Sequence, residues 1–165
     1  MDNNDVLIRL RYALDIKNAE MVEIFKLGGV EVTKEDVPLI LTKLNDNFED
    51  ENEERIECSN QMLDSFLNGF IIFKRGKQDP KPGQPKNSTP PANDKNINNL
   101  VLKKLKIALS LTSEDMLDIL EEARVAISKS ELSAVLRKEG HKNYKECGDR
   151  YVRNFLKGLA LKHRD

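Results

Sequence analysis

Few side chains in this chain have intrinsic reactivity, and they are widely spaced. Cys58, Cys147, His141 and His163 are its only cysteines and histidines. Zinc needs such donors in close pairs, because four ligands must converge on one tetrahedron. The nearest two, His141 and Cys147, are six residues apart. No metal and no cofactor is therefore expected. The same two residues would make an activated thiolate only if the fold brought them together. The chain has no GxSxG elbow and no glycine-rich phosphate loop. KLGGVEVTKED and EEARVAISKSE lie between helical patterns as a calcium loop would. They lack the alternating carboxylates that calcium requires. No catalytic residue emerges.

Polar recognition is better represented. The densest stretch is HKNYKECGDRYVRNFLKGLALKHR, which carries Lys142, Lys145, Arg150, Arg153, Lys157, Lys162 and Arg164. A loop holding an aromatic residue and followed by a basic helix suits phosphate contacts. The candidate binding residues are His141, Lys142, Asn143, Tyr144, Lys145, Asp149, Arg150 and Arg153. Ser128–Arg137 would be the reading helix of a helix–turn–helix arrangement. The plain alternative is a charged helix face, solvated or paired with an acidic surface elsewhere in the chain.

Such a surface exists. The 165 residues hold 27 Lys+Arg and 28 Asp+Glu, for a net charge of −1. That balance hides an asymmetry: residues 1–76 hold 9 basic and 16 acidic side chains, and residues 98–165 hold 14 and 10. Overall charge alone would argue against nucleic acid, but the local balance weakens that argument. No apolar run approaches the ~20 residues of a membrane span. MDNNDV is acidic and polar, so no signal peptide is expected. Two cysteines make no disulfide framework, which points to a reducing cytoplasm.

The elements that must position these residues come as a duplication. NNDVLIRLRYALDIKNAEMVEIF from Asn3 returns as NNLVLKKLKIALSLTSEDMLDIL from Asn98. VTKEDVPLIL from Val32 returns in the same register as ISKSELSAVL from Ile127. After extra residues in the acidic stretch LNDNFEDENEERIE, the match resumes. Cys58 pairs with Cys147, Phe66 with Phe155, Leu67 with Leu156 and Gly69 with Gly158. The copies are residues 1–76 and 98–165. Between them, residues 77–97 hold five of the six prolines, Pro80 to Pro91. Proline lacks a backbone donor and fixes φ, so an extended flexible tether is expected.

Each copy reads as four short helices. Asn4 or Asp5 would cap the first, with Asn98 and Asn99 in the second copy. Val6, Leu7, Leu10, Ala13 and Leu14 fall on one face. Asn18 and Ser113 would cap the second helix, and Gly28-Gly29 would end it in the first copy. Thr33 with Asp36, and Ser128 with Glu131, form capping boxes for a third helix through Leu41 or Leu136. Pro38 strains the first copy's version. The fourth and longest helix runs from about Ser59 to Phe73 and from about Asp149 to His163. Glycine inside it costs ~1 kcal/mol against alanine, so Gly69 and Gly158 suggest a close helix crossing.

NNLVLKKLKIALSL, HKNYKECGDRYVRNFLKGLA and SFLNGFIIFKRGK together resemble the bacterial YehS-like family, whose members carry two copies of a domain of unknown function. The resemblance covers nearly the whole chain. It implies a cytoplasmic bacterial protein and supplies no catalytic residue. The expectation is an all-α tandem duplication of a small four-helix unit, packed through the fourth helices about a pseudo-twofold axis. The functional expectation is a non-enzymatic binding or adaptor module whose partner is unknown, a protein or a nucleic acid met through the second copy. Nucleic-acid binding by the basic second copy is the alternative, and an enzyme of unassigned class the third reading.

Overall fold

A computed structural model describes residues 2–42, 56–76, 92–137 and 141–164. The acidic stretch over 43–55 and most of the expected 77–97 tether, residues 77–91, lie outside the described residues. The last residues of that segment are not a flexible tether, since Asn93 and Asn96 bond to each other, Asn96 is buried and Ile97 begins a helix. The described residues form eight helices and no strand. The first copy supplies α1 (Asn3–Leu14), α2 (Asn18–Leu27), α3 (Asp36–Ile40) and α4 (Asn60–Arg75). The second supplies α5 (Ile97–Ala108), α6 (Ser113–Glu122), α7 (Lys129–Leu136) and α8 (Asp149–Arg164). The tandem four-helix reading is borne out.

The way the copies meet refines the expectation. Helix α1 packs chiefly on α8, and α5 on α4. Helix α2 packs on its own copy's α4, and α6 on α8. Both fourth helices are thus at the join, but each lies against the other copy's first helix rather than against its counterpart. This reciprocal arrangement is the pattern a pseudo-twofold axis produces. The reason lies in the apolar faces. Val6, Leu7, Leu10 and Ala13 of α1 are fully buried, as are Val101, Leu102, Leu105 and Ala108 of α5. A ~70-residue unit has too little interior to cover such a face by itself. Exchange between copies gives one continuous core, from Phe25, Phe66 and Phe70 through to Phe155 and Leu159.

The helix starts differ from the expected ones. Asp2 caps α1, its carboxylate accepting from Asp5 N at 2.9 Å. Helix α5 starts at Ile97 after Asn96. Asn4 and Asn99 lie inside the first turns and make other bonds. Lys17 and Thr112, not Asn18 and Ser113, are the caps of α2 and α6. Thr112 and Asp115 form a reciprocal box, with bonds of 2.9 and 3.1 Å.

Thr33 and Asp36 bond reciprocally as expected, at 2.9 and 3.1 Å. Yet α3 begins only at Asp36, whereas α7 follows directly on its cap, Ser128. Pro38 has no N–H to give to the Lys34 carbonyl, so the α-helical ladder cannot run on from Thr33, and Asp36 N closes a tighter turn on Thr33 O at 3.1 Å. Helix α2 ends through Gly29 at φ 92°, and Arg124 takes the matching left-handed position at φ 62° in the second copy. The turn therefore survives the loss of glycine, at some backbone strain.

Candidate functional site

Two asparagines hold the candidate loop in place. The Asn99 amide donates to Val135 O at 2.9 Å and to Lys145 O at 2.8 Å, and its oxygen accepts from Cys147 N at 2.9 Å. Lys145 N donates to Ala134 O at 3.0 Å. The last turn of α7, the loop and the start of α8 are thereby tied to one buried side chain. Asn4 does the same in the first copy, with Ile40 O, Ile56 O and Cys58 N at 2.7, 2.8 and 2.9 Å. Their neighbours Asn3 and Asn98 each donate to the following cysteine's carbonyl at 3.1 Å. The sequence reading places Asn4, Asn98 and Asn99 at helix caps. The signal that could have placed them was the doublet itself, repeated intact in both copies where a cap needs only one residue.

The predicted site residues divide in two. His141, Lys142, Asn143, Lys145, Arg150 and Arg153 are exposed, while Tyr144 is half-buried. His141 Nδ1 accepts from Asn143 N at 3.1 Å, and Tyr144 N donates to His141 O at 3.0 Å. These bonds make 141–144 a tight turn with its cationic neighbours facing water. Asp149 belongs elsewhere. It accepts from Asn98 at 2.8 Å and lines a polar cleft of about 240 Å³ with Asn60 and Asp94. That cleft gathers the starts of α1, α4, α5 and α8, so Asp149 serves the framework.

Cys147 is buried, 2% exposed, and burial pushes its thiol up to about 12, with a smaller push from Asp149. A thiol held that high is neutral at physiological pH and a poor nucleophile. Its Sγ lies 3.6 Å from Gly148 O, and Cys58 repeats this with Ser59 O at the same distance. Neither cysteine is in a disulfide. Among the described residues no three His, Cys, Asp or Glu side chains cluster as metal ligands would. No helix among them is long and apolar enough to cross a membrane.

The expected close crossings are present. A Cβ on Gly69 would sit 1.9 Å from Ile24 O, and one on Gly158 would sit 1.9 Å from Ile119 O. These contacts fix α2 on α4 and α6 on α8. They leave the outer faces of α1 and α8 to form a second surface feature, a groove between the copies.

The model of the family described as a protein of unknown function (DUF1456) matches residues 3–76 and 98–165. The boundaries of the two matches follow the duplication. The chain is similar to "Uncharacterized protein YehS" of Escherichia coli (strain K12), with 42% identity over 163 residues, 98% of this chain and 96% of the relative. No solved structure matches.

Proposed function

We propose that this chain, which belongs to the DUF1456 family of proteins of unknown function, acts as a non-enzymatic binding or adaptor module in the cytoplasm, presenting the 141–153 surface of its second copy. The observation that carries this reading is the contrast between a pinned backbone and exposed side chains. Asn99 and Ala134 fix the loop at Lys145, while His141, Lys142, Lys145, Arg150 and Arg153 are exposed. A rigid loop loses little conformational entropy on association, which favours recognition. The tether expected over 77–97 would join the copies, its end at Asn96 and Ile97 already folded into the start of α5.

The test is a pull-down from the native cytoplasm comparing wild type with Lys142, Lys145 and Arg150 all changed to Glu. A partner held by wild type and lost by the triple variant supports the module. Equal capture by both removes the loop from the interface.

A second reading has its own support. Arg150 and Arg153 lie on the first turns of α8, continuous with the cationic loop, a surface suited to phosphates. A salt-titrated mobility shift with mixed DNA and RNA tests it, and no binding at low salt rules it out.

A further inference from the structure

The pseudo-symmetry of the two joins is broken at a charged pair. Lys104 of α5, only 5% exposed, pairs with the Asp64 carboxylate of α4. By the register of the duplication, Arg9 of α1 stands where Lys104 stands, and Arg153 of α8 stands where Asp64 stands. The carboxylate that neutralises one join has become a cation at the other. Arg9 is half-buried, and its Nε is enclosed with no acceptor among the described residues. A buried donor left without a partner is disfavoured.

Beside it is a cleft of about 350 Å³ between α1 and α8, lined by Ile8, Arg9, Tyr12, Leu156, Lys157 and Ala160. Arg9 and Lys157 both line it, no carboxylate does among the described residues, and its walls are otherwise apolar apart from the tyrosine hydroxyl. Tyr12 is 60% exposed, leaving much of its ring uncovered. The volume lies within the range of small-molecule sites.

We infer that the α1/α8 cleft binds a phosphate monoester carrying an apolar or aromatic body, with Arg9 and Lys157 on the phosphate and Ile8, Tyr12 and Leu156 against the body. A dianionic head matches the two cations, whereas a carboxylate would leave one positive charge unmatched. Arginine's planar fork suits phosphate oxygens. The cleft's lining is separate from the 141–153 surface, and the proposal does not rest on the module above.

The experiment titrates the full chain with phenyl phosphate, inorganic phosphate and benzoate, followed by amide chemical shifts. Phenyl phosphate is expected to saturate, with shifts centred on α1 and α8. The other two probes, each lacking one half of the ligand, should bind roughly tenfold more weakly or worse. Lys157→Gln, at an exposed position, should weaken phenyl phosphate by roughly tenfold, the scale of one charge-assisted contact. Arg9→Gln should do the same. Arg9→Lys, which keeps the charge without the fork, should fall between. Lys162→Gln, which removes an equal charge from α8 outside the cleft, should leave binding unchanged. No saturable binding of phenyl phosphate overturns the proposal. So does binding that Lys157→Gln leaves intact, and equal affinity for benzoate overturns the choice of phosphate.

Discussion

The Asn99 side-chain oxygen accepts the Cys147 backbone N–H at 2.9 Å, and the same amide group holds the carbonyls of Val135 and Lys145. Three segments of the second copy thus depend on one buried residue. Asn99→Ala removes all three bonds and leaves the buried groups without partners. The expected loss is about 3 kcal/mol, counting about 1 kcal/mol for each bond. Asn4→Ala should cost a similar amount, since Asn4 makes the matching set. Urea denaturation measures both. A loss under about 1 kcal/mol in either variant would show that the doublet asparagines are not the clasps of their copies.

Gly69 and Gly158 admit no side chain. An added Cβ would meet a backbone carbonyl oxygen at 1.9 Å in each case, and backbone cannot swing aside as a side-chain tip can. Gly69→Ala and Gly158→Ala should each cost more than about 3 kcal/mol, or prevent folding. Gly148, just before α8, has nothing within 4 Å of its would-be Cβ, so Gly148→Ala is the control without a clash and should cost about 1 kcal/mol or less, the scale of a changed helix cap. Melting temperatures of the three variants decide it. Similar effects at all three positions would mean that general helix and loop propensities dominate.

The duplication, the helix count and the buried faces were legible because they are local. Apolar spacing at 3.6 residues names the face of α1 without reference to what covers it. The exchange of first helices between copies was not legible, since the same apolar stripe packs equally well on either fourth helix. The capping errors share a cause. Asn, Asp, Ser and Thr satisfy a helix start and a loop carbonyl with the same side-chain atoms, so Asn4 and Asn99 read as caps until the loops they bind are placed. Pro38 was read correctly as a disturbance, because its effect is confined to the single donor it lacks. Of the candidate site, the basic loop was visible as composition. Arg9 was not, because an arginine on an amphipathic helix looks solvated unless the opposite helix is known.

That opposite helix gives a test of the broken charge symmetry. Arg153→Asp would place on α8 the carboxylate that Asp64 supplies on α4, opposite Arg9. It removes a like charge and provides an acceptor near the Arg9 Nε, which has none among the described residues. The variant should gain about 1 kcal/mol in urea denaturation, the scale of one added hydrogen bond. Lys104→Met in the paired join should lose about 3 kcal/mol, because it strands the Asp64 carboxylate. A loss of stability in Arg153→Asp would mean that Arg153 is already satisfied by its surroundings and that the register does not carry the pairing.

The buried thiol of Cys147 makes stability depend on pH in a direction that can be worked out. Its ordinary value is 9.0, and burial raises it to about 12 in the folded chain. Below pH 9 both folded and unfolded chains keep the proton, so the thiol's contribution is fully present. Between about 9 and 12 the unfolded chain releases the proton while the folded chain retains it. Unfolding is then favoured increasingly as pH rises, with about 1.4 kcal/mol lost per pH unit. Lysines and tyrosines also titrate in this range, so the measured quantity must be a difference. Urea midpoints of wild type and Cys147→Ala should keep a constant separation from pH 7 to 8.5, because the small cavity left by alanine does not titrate. By pH 10.5 wild type should have lost about 2 kcal/mol relative to the variant, the share of the full shift reached at that pH. A separation that stays flat to pH 10.5 would place the thiol in contact with water, and rapid alkylation of Cys147 in the native chain at pH 8 would say the same.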